Sequence, residues 1–165
     1  MTIMDSNLEQ NNKETKYEVA FGKIEDTNYI AQFQVDMALE SEDLQLDVET
    51  LKPGVKAVME DENKGKYIVA RYDDKPIGSL LITKEWSDWR NAWYWWIQSV
   101  YVKPEHRGNG VYRSMYTMVK ELAIEEGVSQ IKLYVDKNNE TAKKTYHSLG
   151  MEESHYLLYE EYITK

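Results

Sequence analysis

The chain has 165 residues, 42% of them apolar and 30% charged, with a formal charge of −9. That length suits one domain with a real core, and the negative charge removes sequence-blind binding to nucleic acid, which needs a basic face. The absence of cysteine excludes a disulfide framework, a thiol nucleophile and zinc sites built on thiolates, and no metal is expected.

Residues 1–16 are polar and read as a tail without the apolar core of a signal peptide. No apolar run approaches the ~20 residues that cross a bilayer, so a cytoplasmic location with no membrane partner is expected. Residues 17–165 read as a single domain. Tyr17 to Lys23 alternates apolar and polar residues and predicts a strand. Asp26 or Thr27 can cap a helix that carries Tyr29, Ile30, Phe33 and Met37 on one face. An acidic connector from Glu40 to Asp47 leads to a second helix, with Pro53 expected in its first turn and Val55, Val58 and Met59 turned inward. Lys66–Tyr72 and Ile77–Lys84 predict an antiparallel pair around a turn at Asp73-Asp74-Lys75-Pro76. A loop from Glu85 to Asn91 precedes a long strand, Trp93–Val102. A helix from about Gly110 to Glu126, stopped by Gly127, leads to a strand at Gln130–Val135. Asn138 or Asn139 starts a last helix ending near Gly150, and Glu153–Tyr162 predicts a final strand. The strand before the glycine loop and the strand after its helix form a β-α-β unit, expected parallel and right-handed.

The most informative stretch is Arg107-Gly108-Asn109-Gly110-Val111-Tyr112, where a strand feeds a helix through a glycine loop. The free amides and the positive end of the helix dipole suit a phosphate or pyrophosphate. A P-loop would end in Gly-Lys-Ser/Thr, and this loop does not. A dinucleotide fingerprint needs three spaced glycines, and this loop has two. The third reading is acyl-coenzyme A. Val102-x-Pro104-x-x-Arg107-Gly108-x-Gly110-Val111 resembles the coenzyme A-binding motif of the GNAT acetyltransferase superfamily, Arg/Gln-x-x-Gly-x-Gly/Ala. Tyr112 departs from it, standing where that family carries a small residue. Downstream, Asn139-x-x-Ala142-x-x-x-Tyr146-x-x-x-Gly150-Met151 resembles the family's second signature. Two motifs in order, each on the expected element, are more specific than one loop.

The resemblance implies an α/β fold of the GNAT acyl-CoA N-acyltransferase type: a central mixed, mostly antiparallel sheet of about six or seven strands flanked by about four helices. It implies an N-acetyltransferase that moves an acetyl group from acetyl-CoA to a primary amine, with coenzyme A as product. The pyrophosphate would rest on the amides of Arg107, Gly108, Asn109, Gly110, Val111 and Tyr112. The pantetheine arm would lie against Val100, Tyr101 and Val102 like an added strand. Asn139 would bond the arm or the adenosine side, and Tyr146 would act as general acid toward the departing thiolate. No carboxylate stands in Trp95-Trp96-Ile97-Gln98; Gln98 could position a water but cannot take a proton, and Glu85 and Asp88 are the nearest acids in sequence. His106 reads as part of the phosphate rim.

All five tryptophans fall between Glu85 and Trp96. Trp93, Tyr94, Trp95 and Trp96 read as sheet-packing residues. Trp86 and Trp89, with Asp88, suit an ammonium or guanidinium group, and Glu42 and Asp47 in the acidic connector suit the same cation. Together they suggest a small cationic acceptor: a polyamine, an amino sugar or a lysine-like amine. Trp86 and Trp89 could instead form a homodimer contact. A non-catalytic acyl-CoA sensor of the same fold is the alternative to an enzyme.

Overall fold

The computed structural model describes residues 17–164, so the polar tail expected over residues 1–16 lies outside them. The described residues form two compact units, one running through Lys132 and the other starting at Leu133.

The sheet has five strands in chain order: β1 (Tyr17–Phe21), β2 (Lys66–Tyr72), β3 (Lys75–Ser87), β4 (Ala92–Val102) and β5 (Gln130–Leu133). The pairings β1–β2, β2–β3 and β3–β4 are antiparallel. Tyr72 pairs with Lys75, so Asp73 and Asp74 alone make the β2–β3 turn. Both have positive φ, 48° and 62°, the signature of the type I′ turn whose twist matches that of its strands.

Two helices, α1 (Thr27–Glu42) and α2 (Val48–Glu60), cover one sheet face. Ile30, Ala31 and Val55 meet Tyr67 and Val69 there, with Leu51, Val58, Met59 and Leu81 packed around them. Residues of the opposite parity, Ile68, Leu80 and Ile82, are buried on the other side. The helix α3 (Val111–Glu125) packs across β1 to β4 and buries Met115 and Val119 completely. Fully burying side chains of this size stabilises by roughly 1.5–3 kcal/mol each.

Asp26 is the buried charge of this unit. It precedes α1 but does not cap it; its Oδ2 accepts from the Lys23 backbone N–H at 2.8 Å and from Arg71 Nη2 at 2.5 Å. A buried carboxylate needs such a partner. Pro53 lies inside α2, at its sixth residue, rather than in the first turn. Having no N–H, it leaves the carbonyl of Glu49 without its intrahelical donor. The cap of α2 is Asp47, whose Oδ1 accepts from the Glu49 amide at 3.1 Å.

The second unit carries α4 (Glu140–Ser148). The strand expected at Glu153–Tyr162 does not form: residues 151–164 are neither strand nor helix, and the sheet stops at five strands. Strand propensity specifies a pleated surface, but a strand exists only when a ladder partner is supplied.

Candidate active site

The site begins with a defect in β4. Ser79 pairs with Tyr101 and Leu81 with Gln98, so Leu80 alone stands opposite both Ser99 and Val100. Ser99 takes up the extra residue with φ of 52°. Such a bulge leaves a residue out of the ladder and reverses which side chains face which way. Before it, the partners of Glu85, Thr83 and Leu81 are Tyr94, Trp96 and Gln98, on the face covered by α1 and α2. After it, an odd-numbered residue, Tyr101, takes that face and stacks on Phe33 of α1 at 5.3 Å. Without the bulge Tyr101 would point with Trp95 and Ile97. Gly78 permits the close strand approach below it, since a Cβ there would lie 2.7 Å from the Tyr101 carbonyl oxygen.

The chain then leaves β4 through the short turn Pro104–His106 and enters the glycine loop. Gly108 and Gly110 have φ of 74° and 80°, a region costly for other residues. A Cβ at either would meet no heavy atom within 4 Å. Among the described residues, chain neighbours apart, the space next to both glycines is open. Gly110 sits at the N-cap of α3 and provides no side-chain cap. An open, uncapped start to a 15-residue helix fits a diphosphate.

Arg107 does not turn its side chain to that space. Its Nε donates to the Val102 carbonyl at 2.7 Å and its Nη2 to Glu40 Oε2 at 2.8 Å, and its guanidinium lies 5.4 Å from the Tyr101 ring centroid. The Tyr101 hydroxyl donates to Glu40 Oε1 at 3.4 Å. Burial, then the negative charge of Glu40 and Asp36, pushes the Tyr101 phenol up to about 12. Arg107 thus ties the end of α1 to the loop and leaves backbone amides to meet an anion. Glu40 was visible in the sequence only as one acid in a run; its partner lies 67 positions away.

The acceptor candidates separate into two places. Trp86, Asp88 and Trp89 are at the tip of the β3–β4 hairpin, where Trp86 packs on Trp93 at 5.0 Å and Trp89 is 89% exposed. The Asp88 carboxylate accepts from the Trp89 amide at 2.9 Å and shapes the turn. The tip is about 30 Å along β4 from the glycine loop, at ~3.3 Å per residue. Glu42 ends α1 and Asp47 caps α2, near Glu40 and thus at the loop end of β4. The Thr50 hydroxyl and the Glu49 amide hold the Asp47 carboxyl below its usual range. The aromatic tip and the acidic connector do not converge.

Between them, Gln98 Nε2 donates to Thr83 Oγ1 at 2.8 Å. Glu85 accepts from Trp96 Nε1 at 2.5 Å and from Lys132 Nζ at 3.2 and 3.3 Å. The Lys132 ammonium also lies over the rings of Tyr94 and Trp96, at 4.2 and 5.2 Å. The cation site built from aromatic faces and a carboxylate is here, filled by the chain's own lysine. A carboxylate so engaged must surrender an ion pair before taking a proton. Nothing local in the sequence marks Lys132, which meets Glu85, 47 positions away, only through folding.

In the second unit, Asn139 caps α4, its Oδ1 accepting from the Ala142 amide at 3.0 Å. Tyr146 is half-buried on that helix, and burial pushes its phenol above the ordinary tyrosine value, which keeps it protonated.

The family model for the acetyltransferase (GNAT) family matches residues 29–151, a span that takes in the bulge, the glycine loop and α4. The chain belongs to the GNAT family. A solved structure of a possible acetyltransferase from Clostridium difficile 630 is 40% identical, with a TM-score of 0.84 over 90% of this chain and 99% of that one. The thialysine N-epsilon-acetyltransferase of Bos taurus is 32% identical over 77 residues, 47% of this chain and 45% of that protein. That of Sus scrofa is 38% identical over 55 residues, 33% of this chain and 32% of that protein. The chain thus spans less than half the length of these curated relatives. Among the described residues the sheet has five strands, where about six or seven were expected.

Proposed function

We propose that this GNAT chain is an N-acetyltransferase that uses acetyl-CoA to acetylate a primary amine on a small cationic acceptor. The observation that carries the reading is the pair of left-handed glycines fronting an uncapped helix, with open space before both. Bound acetyl-CoA would supply the activated acyl group. The amides from Arg107 to Tyr112 hold its diphosphate. The Ser99 bulge interrupts the β3–β4 ladder at Ser99 and Val100; Val100, Tyr101 and Val102 would offer main-chain groups to the pantetheine arm, and one amide would face the thioester oxygen. Tyr146 holds a proton for the leaving thiolate. Asn139, fixed by its capping bond, retains its amide N–H groups for the cofactor. The acceptor lies on the α1–α2 face of β4, where Gln98 positions a water; Glu42 adds negative charge at the connector. A lysine-like amine is favoured over a polyamine or amino sugar by the similarity to proteins named for thialysine. The cell interior, where acetyl-CoA is made, suits the reaction.

A second reading, an acyl-CoA sensor, draws on one observation: the β4 side chain nearest the bulge on that face is Gln98, bonded to Thr83 and unable to act as a base. Thiol release from acetyl-CoA across a panel of amines separates the two. Release with lysine-like amines supports the enzyme. Tight cofactor binding with no release for any amine supports the sensor.

A further inference from the structure

Two polar side chains lie inside the first unit, between α1 and the sheet. Gln34 is 5% exposed and Ser79 0%, and among the described residues neither Gln34 Nε2 nor Ser79 Oγ has a hydrogen-bond partner. Leaving a buried polar group unpaired costs more than a made bond returns, so each of them needs a partner.

Strand register and helix period bring the two together. Ser79 pairs with Val69 on one side and with Tyr101 on the other, so these three side chains form a row across the face that α1 and α2 cover. Helix α1 packs on β3 and β4 over this row. Ile30 belongs to the cluster that contains Val69, and Phe33 stacks on Tyr101. Gln34 follows Ile30 by one turn on the same face and stands level with Phe33. Ser79, between Val69 and Tyr101, lies beneath that level.

We propose that Gln34 and Ser79 form a binding site for one buried water, which accepts from Gln34 Nε2 and donates to Ser79 Oγ. The two side chains do not bond each other directly, and a shared water satisfies both at once. Two polar partners are the fewest that hold a buried water. Both groups are neutral, so a neutral ligand fits where an ion would remain uncompensated. Side chains sealed to 5% and 0% exposure admit nothing larger unless α1 lifts from the sheet. The bridge ties the middle of α1 to β3 beside the Ser99 bulge, since Ser79 opposes Tyr101, two residues past it. It stands apart from the reading of the activity.

Water-selective NOE and ROE spectra of the wild type test the proposal, with urea denaturation of Gln34→Met, Ser79→Ala and the double variant. One water should give cross-peaks to the Gln34 side-chain amide and to the Ser79 Cβ protons, of opposite sign in the two spectra, the mark of a water held longer than the protein tumbles. The Gln34 cross-peak should be lost in Ser79→Ala. Each single substitution leaves the other polar group without its bridge and should lower the urea midpoint. The double substitution removes both groups and should bring the midpoint back above that of either single variant. If a variant does not fold, the wild-type cross-peaks to both residues decide. Absent cross-peaks, a Gln34 cross-peak that survives Ser79→Ala, or midpoint shifts that simply add would each overturn the shared water. None of these readouts depends on cofactor binding or turnover.

Discussion

Gly110 and Gly127 form a matched pair for testing where the anion sits. Both have positive φ, 80° and 67°, and a Cβ on either meets nothing within 4 Å. Alanine at either position should therefore cost only the left-handed strain, ~1–2 kcal/mol. At about 2–4 °C of melting temperature per kcal/mol for a chain of this size, both variants should melt roughly 2–8 °C lower. The two differ only in place. Gly110 precedes α3 and Gly127 follows it, and the 15-residue helix between them is about 22 Å long at 1.5 Å per residue. If the space before Gly110 receives a diphosphate, the added methyl crowds it there alone. Calorimetric titration with coenzyme A should show Gly110→Ala weaker by at least ~tenfold, or about 1.4 kcal/mol, with Gly127→Ala within about twofold of wild type. Equal affinity in the two variants, with equal loss of melting temperature, would refute the placement.

Tyr146→Phe should lower kcat ~100-fold or more and leave coenzyme A affinity unchanged; stopped-flow thiol release and calorimetry read the two separately, and unchanged kcat removes the general-acid role. Asp26→Asn leaves the Arg71 guanidinium, only 11% exposed, without its counter-charge, and should destabilise by roughly 3 kcal/mol in urea denaturation, with no change in cofactor affinity. Tyr67 is 6% exposed, and burial pushes its phenol from 10.0 to about 12. Between those values the native state keeps a proton the unfolded chain has lost, so stability falls as pH rises. Across that window wild type should lose stability faster than Tyr67→Phe; equal slopes would show that the phenol is not held protonated.

The elements legible in the sequence were those whose cause is local. The β2 strand at Lys66–Tyr72 and the glycine that starts α3 came out as read, because alternation and φ > 0 chemistry are written in neighbouring residues. What was not legible depends on partners distant in sequence. Nothing local marks Ser99 as a bulge: serine has no special freedom at φ of 52°, and the shift arises from the register against β3. The same holds for Glu40 with Arg107 and for Lys132 with Glu85, pairs joined only by folding. Trp86 and Trp89 were grouped with Glu42 and Asp47 because all suit a cation; β4 holds the two groups at opposite ends. The strand expected over Glu153–Tyr162 is absent, because apolar alternation does not by itself supply a ladder partner and none is formed among the described residues.

Titration of the protein with coenzyme A, and in parallel with pantetheine, which lacks the diphosphate, tests the central claim most directly. Saturable one-to-one binding of coenzyme A, with pantetheine weaker by at least ~100-fold or about 2.7 kcal/mol, is the predicted result. No heat from coenzyme A at millimolar concentration, or equal affinity for pantetheine, would contradict it.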